Sequence, residues 1–221
     1  MTFEKDSAVV LFSGGQDSTT CLFWAKKHYP QVIALQFDYG QRHQIELTQG
    51  ALIARLTQVE RIVIPINTFA YISDNALINK ELKISHQTET QLPNTFVPGR
   101  NLLFLTAAAA WAYSNNIFTL VGGMCQADYS GYPDCRDDFV WAAQQAISLA
   151  MDVSFIIKAP LMFLSKAQIW QLARELGCLD VVKEYTHTCY NGDRIHHWSW
   201  GFGCGECPAC ILRAKGYQEA F

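Results

Sequence analysis

Short apolar runs alternate with longer amphipathic stretches along most of the chain. Ser7-Ala8-Val9-Val10-Leu11-Phe12 is rich in valine and closed by Ser13-Gly14-Gly15, which predicts a buried parallel strand. Ser18 to His28 reads as a helix, and Val32-Ile33-Ala34-Leu35-Gln36-Phe37 as a second strand. His43 to Thr57 predicts a helix with Ile45, Leu52, Ile53 and Leu56 near one face, followed by a third strand from Arg61 to Ile66. A β-α-β-α-β start implies right-handed crossovers and a parallel sheet.

Residues 67 to 98 break the rhythm. They are polar, contain Pro93 and Pro98, and predict a long excursion with a short helix, a kind of segment that often serves as a lid. A helix restarts at Asn101 and runs to Ser114, and Ile117 to Val121 is the fourth strand. Arg136 to Met151 is a helix, Phe155 to Lys158 the fifth strand, and Ser165 to Leu176 a further helix. The Asn101–Ser114 segment is apolar nearly all round, so it should be buried on more than one side. A subunit interface there, and with it a homodimer, is the sharper expectation, compatible with a core helix.

Composition narrows the class. Of 221 residues, 50% are hydrophobic and 17% charged, which is globular, with no sign of disorder. The net charge of −3 leaves no basic footprint for nucleic acid and favours a small-molecule substrate. Met1 to Asp6 is polar, unlike a signal peptide, and the most apolar stretch, Leu102 to Tyr113, is too short for a bilayer. A cytoplasmic protein with no membrane partner is expected. In that reducing setting its close-set cysteines read as metal ligands before disulfides.

Ser13-Gly14-Gly15-Gln16-Asp17-Ser18 lies between the first strand and the first helix. Two glycines allow a tight turn and close approach to an anion; the following helix N-terminus points N–H groups at it. Neither the G-x-x-x-x-G-K-[ST] string nor G-x-G-x-x-G occurs. An ordinary capped turn is the bland alternative. The string resembles the PP-loop of the N-type ATP pyrophosphatases, such as NAD synthetase and GMP synthetase. That resemblance implies a pyrophosphate cradle, attack at the α-phosphate and an adenylated intermediate. It also implies a phosphate-neutralising lysine on a later helix, matched by Lys166 after Pro160-Leu161-Met162-Phe163-Leu164-Ser165; a solvated surface lysine is the alternative.

Three more segments fall at strand ends or helix starts: Phe37-Asp38-Tyr39-Gly40-Gln41-Arg42-His43, Asn94 to Asn101, and Asp128-Tyr129-Ser130-Gly131-Tyr132-Pro133-Asp134-Cys135-Arg136. A parallel sheet brings them to one edge, and their Asp, Arg and Tyr suit a planar, hydrogen-bonding ligand. For the last of them, a capped surface turn is the alternative. With the SGGQDSTTC string and the terminal cysteines, they resemble the 7-cyano-7-deazaguanine synthase family of queuosine-precursor enzymes, from Phe12 to Arg213.

That resemblance implies an adenine nucleotide alpha-hydrolase-like (PP-loop) α/β fold: a doubly wound parallel five-stranded sheet of order 3-2-1-4-5 over residues 1–180, with a helical, zinc-binding segment at 181–221 packed on it. It implies conversion of 7-carboxy-7-deazaguanine and ammonia to the nitrile, with ATP and Mg²⁺ as co-substrate. Carried over to this chain, Asp17, Lys166 and Arg100 are the candidate catalytic residues. Phe12, Ser13, Gly14, Gly15, Gln16, Asp17, Ser18, Thr19, Thr20, Cys21 and Leu22 are the nucleotide-binding candidates. Arg42, Asp128, Tyr132, Asp134 and Arg136 are the substrate-binding candidates.

Cys189-x14-Cys204-x2-Cys207-x2-Cys210 offers four thiols suited to structural Zn²⁺. Iron–sulfur ligation is the rival, as is replacement of one cysteine by His187, His196 or His197. The loop between Cys189 and Cys204, with Trp198 and Trp200, is longer than the resemblance leads one to expect. Two other readings are a tRNA-thiolating PP-loop enzyme, which should show a basic RNA-binding extension, and a zinc-binding interaction module, which would have no use for the phosphate loop.

Overall fold

The structure is a computed structural model that describes residues 7–41, 44–68, 71, 95–127 and 132–221. The expected excursion therefore lies largely outside the described residues, as do Arg42, His43 and Asp128.

Strand β1 (Ser7–Leu11) leads to helix α1 (Gln16–His28), β2 (Gln31–Asp38), α2 (Ile45–Thr57) and β3 (Glu60–Pro65). Next come α3 (Arg100–Ser114), β4 (Thr119–Val121), a 3-10 turn (Pro133–Cys135), α4 (Asp137–Met151), β5 (Ile156–Lys158) and α5 (Lys166–Glu175). The five strands form one sheet in the order β3-β2-β1-β4-β5, all parallel, as the resemblance implies.

β1 is central, and Ala8, Val9 and Val10 are wholly buried because helices cover both faces. Alternation divides the strand residues between two cores. Val9, Ile33, Leu35 and Leu120 pack on Leu105, Ala108, Ala109 and Ala112 of α3 and on Val140, Ala143 and Ile147 of α4. Ala8, Val10, Ala34 and Val121 face the other way, onto Leu22 and Ala25 of α1, Ile53 of α2 and Ile169 of α5. Burial of α3 on more than one side is not what the structure shows: Leu102 is 43% exposed and Tyr113 46%. α3 packs on β1, β4 and α4, and these two residues lie outside those contacts.

The C-terminal part is built differently. Helix α6 (Leu179–Tyr185) is followed by a two-stranded hairpin, β6 (His197–Trp198) with β7 (Gly201–Phe202), and by α7 (Pro208–Ala220). Trp170 and Ala173 of α5, Cys178, Val182 of α6, and Cys189, Trp200, Cys207 and Cys210 make a third core. α7 packs on α5, which seats this core against the sheet domain.

Candidate active site

β1 pairs with β2 on one side and β4 on the other, and their connections leave in different directions, opening a crevice at the carboxyl edge. The phosphate loop sits in it. Ser18 Oγ accepts from Ser13 N at 3.2 Å, lies 3.0 Å from Ser13 Oγ, and donates to Gly15 O at 3.2 Å. Gly14 has φ of 88°, and a Cβ there would lie 2.7 Å from Glu46 O and 2.9 Å from Gly50 N. The loop thus closes on itself and against α2, and only glycine fits that turn. Gly15 is the N-cap of α1 with no side-chain cap, so the first N–H groups of α1 face the crevice unblocked by a side chain.

Polar residues inside the apolar runs position this loop. Gln36, in the middle of β2, donates through Nε2 to Ser13 O at 2.8 Å and Glu46 O at 3.1 Å. Gln16 is 3% exposed, and its Nε2 has no hydrogen-bond partner among the described residues. Gln16 also lines the cavity, where an accepting ligand would satisfy it. Lys166 starts α5 behind a Ser165–Gln168 capping box and reaches Asp17, Nζ lying 3.1 and 3.0 Å from the two carboxylate oxygens. The bland reading of Lys166 as a solvated lysine is excluded, since its side chain is only 10% exposed.

The cavity holds about 370 Å³, within the range of small-molecule sites. Phe12, Ser13, Gly15, Gln16, Asp17 and Ser18 line one part, with Lys166; Arg100, Tyr132, Tyr39, Glu46, Phe104 and Tyr190 line another. Phe37 and Phe104 stack at 4.3 Å, with Tyr39 tilted against Phe104 at 5.4 Å. Burial opposes the charge on Arg100, but Tyr39, Tyr132, Asp134 and Tyr190 around it more than offset that, so its pKa ends raised. Burial pushes the Tyr39 hydroxyl up to about 12 and the Glu46 carboxyl up to about 7, with Arg100 pulling both back. These groups form an aromatic, hydrogen-bonding chamber around a permanent cation.

Other sequence candidates lie elsewhere. Thr19, Thr20, Cys21 and Leu22 are wholly buried within α1, behind the loop; Thr20 bonds Gln16 O and the Cys21 thiol bonds Gly122 O. Gly14 meets the rest of the protein through its backbone, its carbonyl accepting from His187 N at 3.1 Å. Asp134 is 7% exposed and sits beneath the cavity wall, its Oδ2 accepting from Asn101 N at 3.1 Å while its carbonyl accepts from Asn101 Nδ2 at 2.9 Å. Arg136 stands exposed as the N-cap of α4, away from the cavity lining. Tyr132 Oη lies 2.6 Å from Thr95 Oγ1. Tyr39 belongs to the Phe37–His43 segment that the sequence singled out, though it was not itself named as a site residue; Gln36, Glu46, Tyr190 and Arg213 were not anticipated, and of these Gln36 alone carried a signal, a polar residue inside an apolar strand.

The four C-terminal cysteines converge. Their sulfurs all lie within 4.8 Å of one another, with 3.9 Å between Cys204 and Cys210 and 4.0 Å between Cys189 and Cys207. A tetrahedral ion with metal–sulfur bonds of about 2.3 Å sets sulfurs roughly 3.8 Å apart, so the donor set fits a metal. Cys207 N and Glu206 N donate to Cys204 Sγ at 3.3 and 3.5 Å. The histidines are engaged elsewhere: His187 Nε2 with Cys189 O, His196 with Asp193, and His197 with Glu184. The long loop forms the β6–β7 hairpin; Trp198 and Trp200 stack on each other at 6.0 Å, and Trp200 packs in the core that holds the cysteines.

A model of the family described as queuosine biosynthesis protein QueC matches residues 7–221, which takes in the phosphate loop, the aromatic chamber and the four cysteines. The chain belongs to the QueC family. QueC-family relatives carry the name 7-cyano-7-deazaguanine synthase. One from Wolinella succinogenes is 49% identical over 96% of this chain and 92% of its own length. One from Nitrobacter hamburgensis is 53% identical over 96% and 94%. Among solved structures, an NH3-dependent NAD synthetase from Campylobacter jejuni, in complex with the nitrate ion, matches with a TM-score of 0.51 at 17% identity, covering 80% of this chain and 66% of that one. A 4-thiouridine synthetase–RNA complex with bound ATP matches with a TM-score of 0.52 at 15% identity, covering 97% and 50%. At such identities the likeness is of fold alone, a parallel α/β sheet shared with these ATP-binding and NAD-synthesising proteins.

Proposed function

We propose that this chain is a 7-cyano-7-deazaguanine synthase, a C–N-bond-forming ligase of queuosine biosynthesis. It converts 7-carboxy-7-deazaguanine and ammonia to 7-cyano-7-deazaguanine, with ATP and Mg²⁺ as co-substrate. The observation that carries this reading is the family match over residues 7–221, which spans both the phosphate loop and the chamber around Arg100.

A carboxylate resists ammonia because oxide is a poor leaving group. In the first half-reaction a carboxylate oxygen attacks the α-phosphorus of ATP, the bond to pyrophosphate breaks, and an acyl adenylate forms. Ammonia adds to its carbonyl carbon, loses a proton, and AMP leaves to give the amide. The amide oxygen then attacks the α-phosphorus of a second ATP, and the bond to its pyrophosphate breaks to give an adenylated amide. Loss of the remaining N–H protons and departure of AMP leaves the nitrile. Both carboxylate oxygens thus leave on AMP, and one phosphate-holding site serves both steps.

The residues divide this work between two walls. Ser13, the Gly15 backbone, Gln16 and Ser18 hold the departing pyrophosphate, and Lys166, fixed by Asp17, neutralises it. Arg100 orients the substrate carboxylate, and Tyr39, Phe104, Tyr132 and Tyr190 enclose its ring. Asp134 acts through α3, fixing the backbone at Asn101 beside Arg100. Arg42 and Asp128, expected from the sequence to bind substrate, lie outside the described residues.

The cysteine centre holds Zn²⁺ as a structural ion: four sulfurs this close fit one ion, whereas an iron–sulfur cluster would need them spread around several irons. The exposed side of α3, with Leu102 and Tyr113, supports a homodimer. Among the described residues no helix is long and apolar enough to cross a membrane. Incubation with 7-carboxy-7-deazaguanine, ATP, Mg²⁺ and ammonia, read by mass spectrometry, tests the reading. The nitrile should appear with AMP and pyrophosphate; ATP turnover without nitrile would overturn the substrate assignment.

A further inference from the structure

Arg213, on α7, is 1% exposed. A guanidinium has five N–H groups, and here all five donors are used. Nε donates to Trp200 O at 3.2 Å; Nη1 to Thr186 Oγ1 and Thr188 Oγ1, both at 2.8 Å; and Nη2 to Val182 O at 2.8 Å and Trp200 O at 3.1 Å. Every acceptor is neutral. Trp170 and Trp200 face the same group at 5.4 and 5.9 Å. Among the described residues no carboxylate forms an ion pair with it.

Such a cage is costly unless an anion balances the charge it encloses. Yet the fold is shaped to keep it. Gly201 has φ of 108°, and a Cβ there would meet Arg213 Nη2 at 2.9 Å and also strike Lys183 O. Two groups that can carry negative charge interact electrostatically with the guanidinium: Cys210, one turn earlier on α7, and Asp17, on the phosphate loop. Arg213 also lines the cavity beside that loop and Lys166. The same helix seats Lys166, because a Cβ at Gly216 would overlap its side chain.

We infer that Arg213 is a positioning residue for the phosphate site: a fixed cation that strengthens pyrophosphate binding through its charge, with its hydrogen bonds spent on anchoring the cysteine segment beside the loop. This rests on the reading of the loop as a pyrophosphate cradle. A guanidinium with no spare N–H acts at a distance, through the field it casts into the cavity, while Lys166 and the loop make the contacts.

The test is calorimetric titration of pyrophosphate into the metal-loaded wild type, Arg213→Lys and Arg213→Met, with elemental analysis of each. Lysine keeps the charge but cannot reproduce the five bonds; methionine keeps neither. Pyrophosphate should bind about tenfold more weakly to Arg213→Met, and within about threefold of wild type to Arg213→Lys, with metal retained in both. Equal weakening in the two variants would overturn the inference, because lost hydrogen bonds alone would explain it. Loss of metal from both would also overturn it, assigning Arg213 to the cysteine centre. A wild type that fails to bind pyrophosphate would instead sink the cradle reading beneath it.

Discussion

The phosphate loop and the cysteine centre meet at the hydrogen bond from His187 N to Gly14 O, 3.1 Å long. On one side, the loop takes its shape from neighbours within a few residues: Ser13 with Ser18, Gly15 with Ser13, all held between a central strand and a buried helix. On the other, the four cysteines are drawn from residues 189 to 210, where the regular structure between the first two is a hairpin of two-residue strands. Sulfur–sulfur contacts are weak, and four thiolates repel one another unless a cation sits among them. The loop is preformed by the sheet, whereas the centre is conditional on its ion. Because His187, Thr188, Cys189 and Tyr190 all line the cavity, the conditional region forms a wall of the preformed one. Damage should therefore travel in one direction.

Metal removal gives the largest effect. Cys207→Ser, or a strong chelator, should release the ion and destabilise the chain by about 5 kcal/mol or more, since structural zinc binding is worth on the order of 10 kcal/mol in small domains. Pyrophosphate binding should be lost with it. Thermal melts and titrations on the same samples check both; a metal-free chain with an unchanged melt would break the comparison at its conditional side.

The reverse experiment is Asp17→Ala. It removes the carboxylate with which Lys166 pairs but leaves the sheet and the cysteines alone. AMP formation should fall by about 10²-fold or more, the usual scale for losing a preorganised electrostatic group. Metal content should stay at the wild-type level. Normal turnover would remove Asp17 and Lys166 from the machinery, and metal loss would show that damage travels both ways.

The same contrast explains what was legible in the sequence. β1 and its loop could be read because their signal is local: an apolar run, two glycines, a helix start. The strand order came with the resemblance that the loop carries, and the sheet has that order. The segment 181–221 was expected to be helical from the resemblance, but the positions of α6 and α7 went unread for a physical reason. α6 has seven residues, and the buried stripe of α7 is Ala209, Cys210, Arg213 and Gly216, which carries almost no hydrophobic periodicity. The cysteines could be identified as ligands by spacing, but not Arg213, whose meaning depends on carbonyls from α6 and the hairpin. The pocket was half legible. Asp134 and Arg136 are two residues apart; the 3-10 turn tucks the first under α3 and leaves the second exposed, a divergence that spacing alone does not encode.

A smaller effect tests how much of the loop's shape comes from its backbone. Gly14→Ala places a Cβ at φ of 88° and 2.7 Å from the Glu46 carbonyl oxygen. It should cost about 1–3 kcal/mol, the range for a residue forced into strained backbone. Gly15→Ala is the control. Its φ is −83° and its nearest neighbour, Ser13 Oγ, would be 3.3 Å away, so it should cost less than about 1 kcal/mol. Urea unfolding separates the two, and equal costs would mean that the close approach of α2 does not shape the loop.

The smallest effect concerns pH, where the two regions should differ in sign. Glu46 faces Arg100, Tyr39 and Tyr190 across the cavity, and burial raises its carboxyl from 4.5 to about 7, with Arg100 pulling it back. The folded chain therefore holds a proton that the unfolded chain releases between those values. The stability this group contributes is complete below 4.5 and is lost as pH rises towards 7. Metal-bound cysteines behave in the opposite sense, since ligation requires thiolates and strengthens as pH rises. Glu46→Gln stays neutral throughout and so isolates the first trend. Relative to that variant, the wild type should lose stability across the window from 4.5 to about 7, and the offset between the two should stay constant below it. Because Glu46 is only half-buried, screening should keep the change below about 1 kcal/mol. Urea midpoints for both proteins at several pH values decide the matter. Parallel curves across the window would show that the carboxyl is ionised in the folded chain, leaving the cavity wall beside the phosphate loop with one more negative charge than burial predicts.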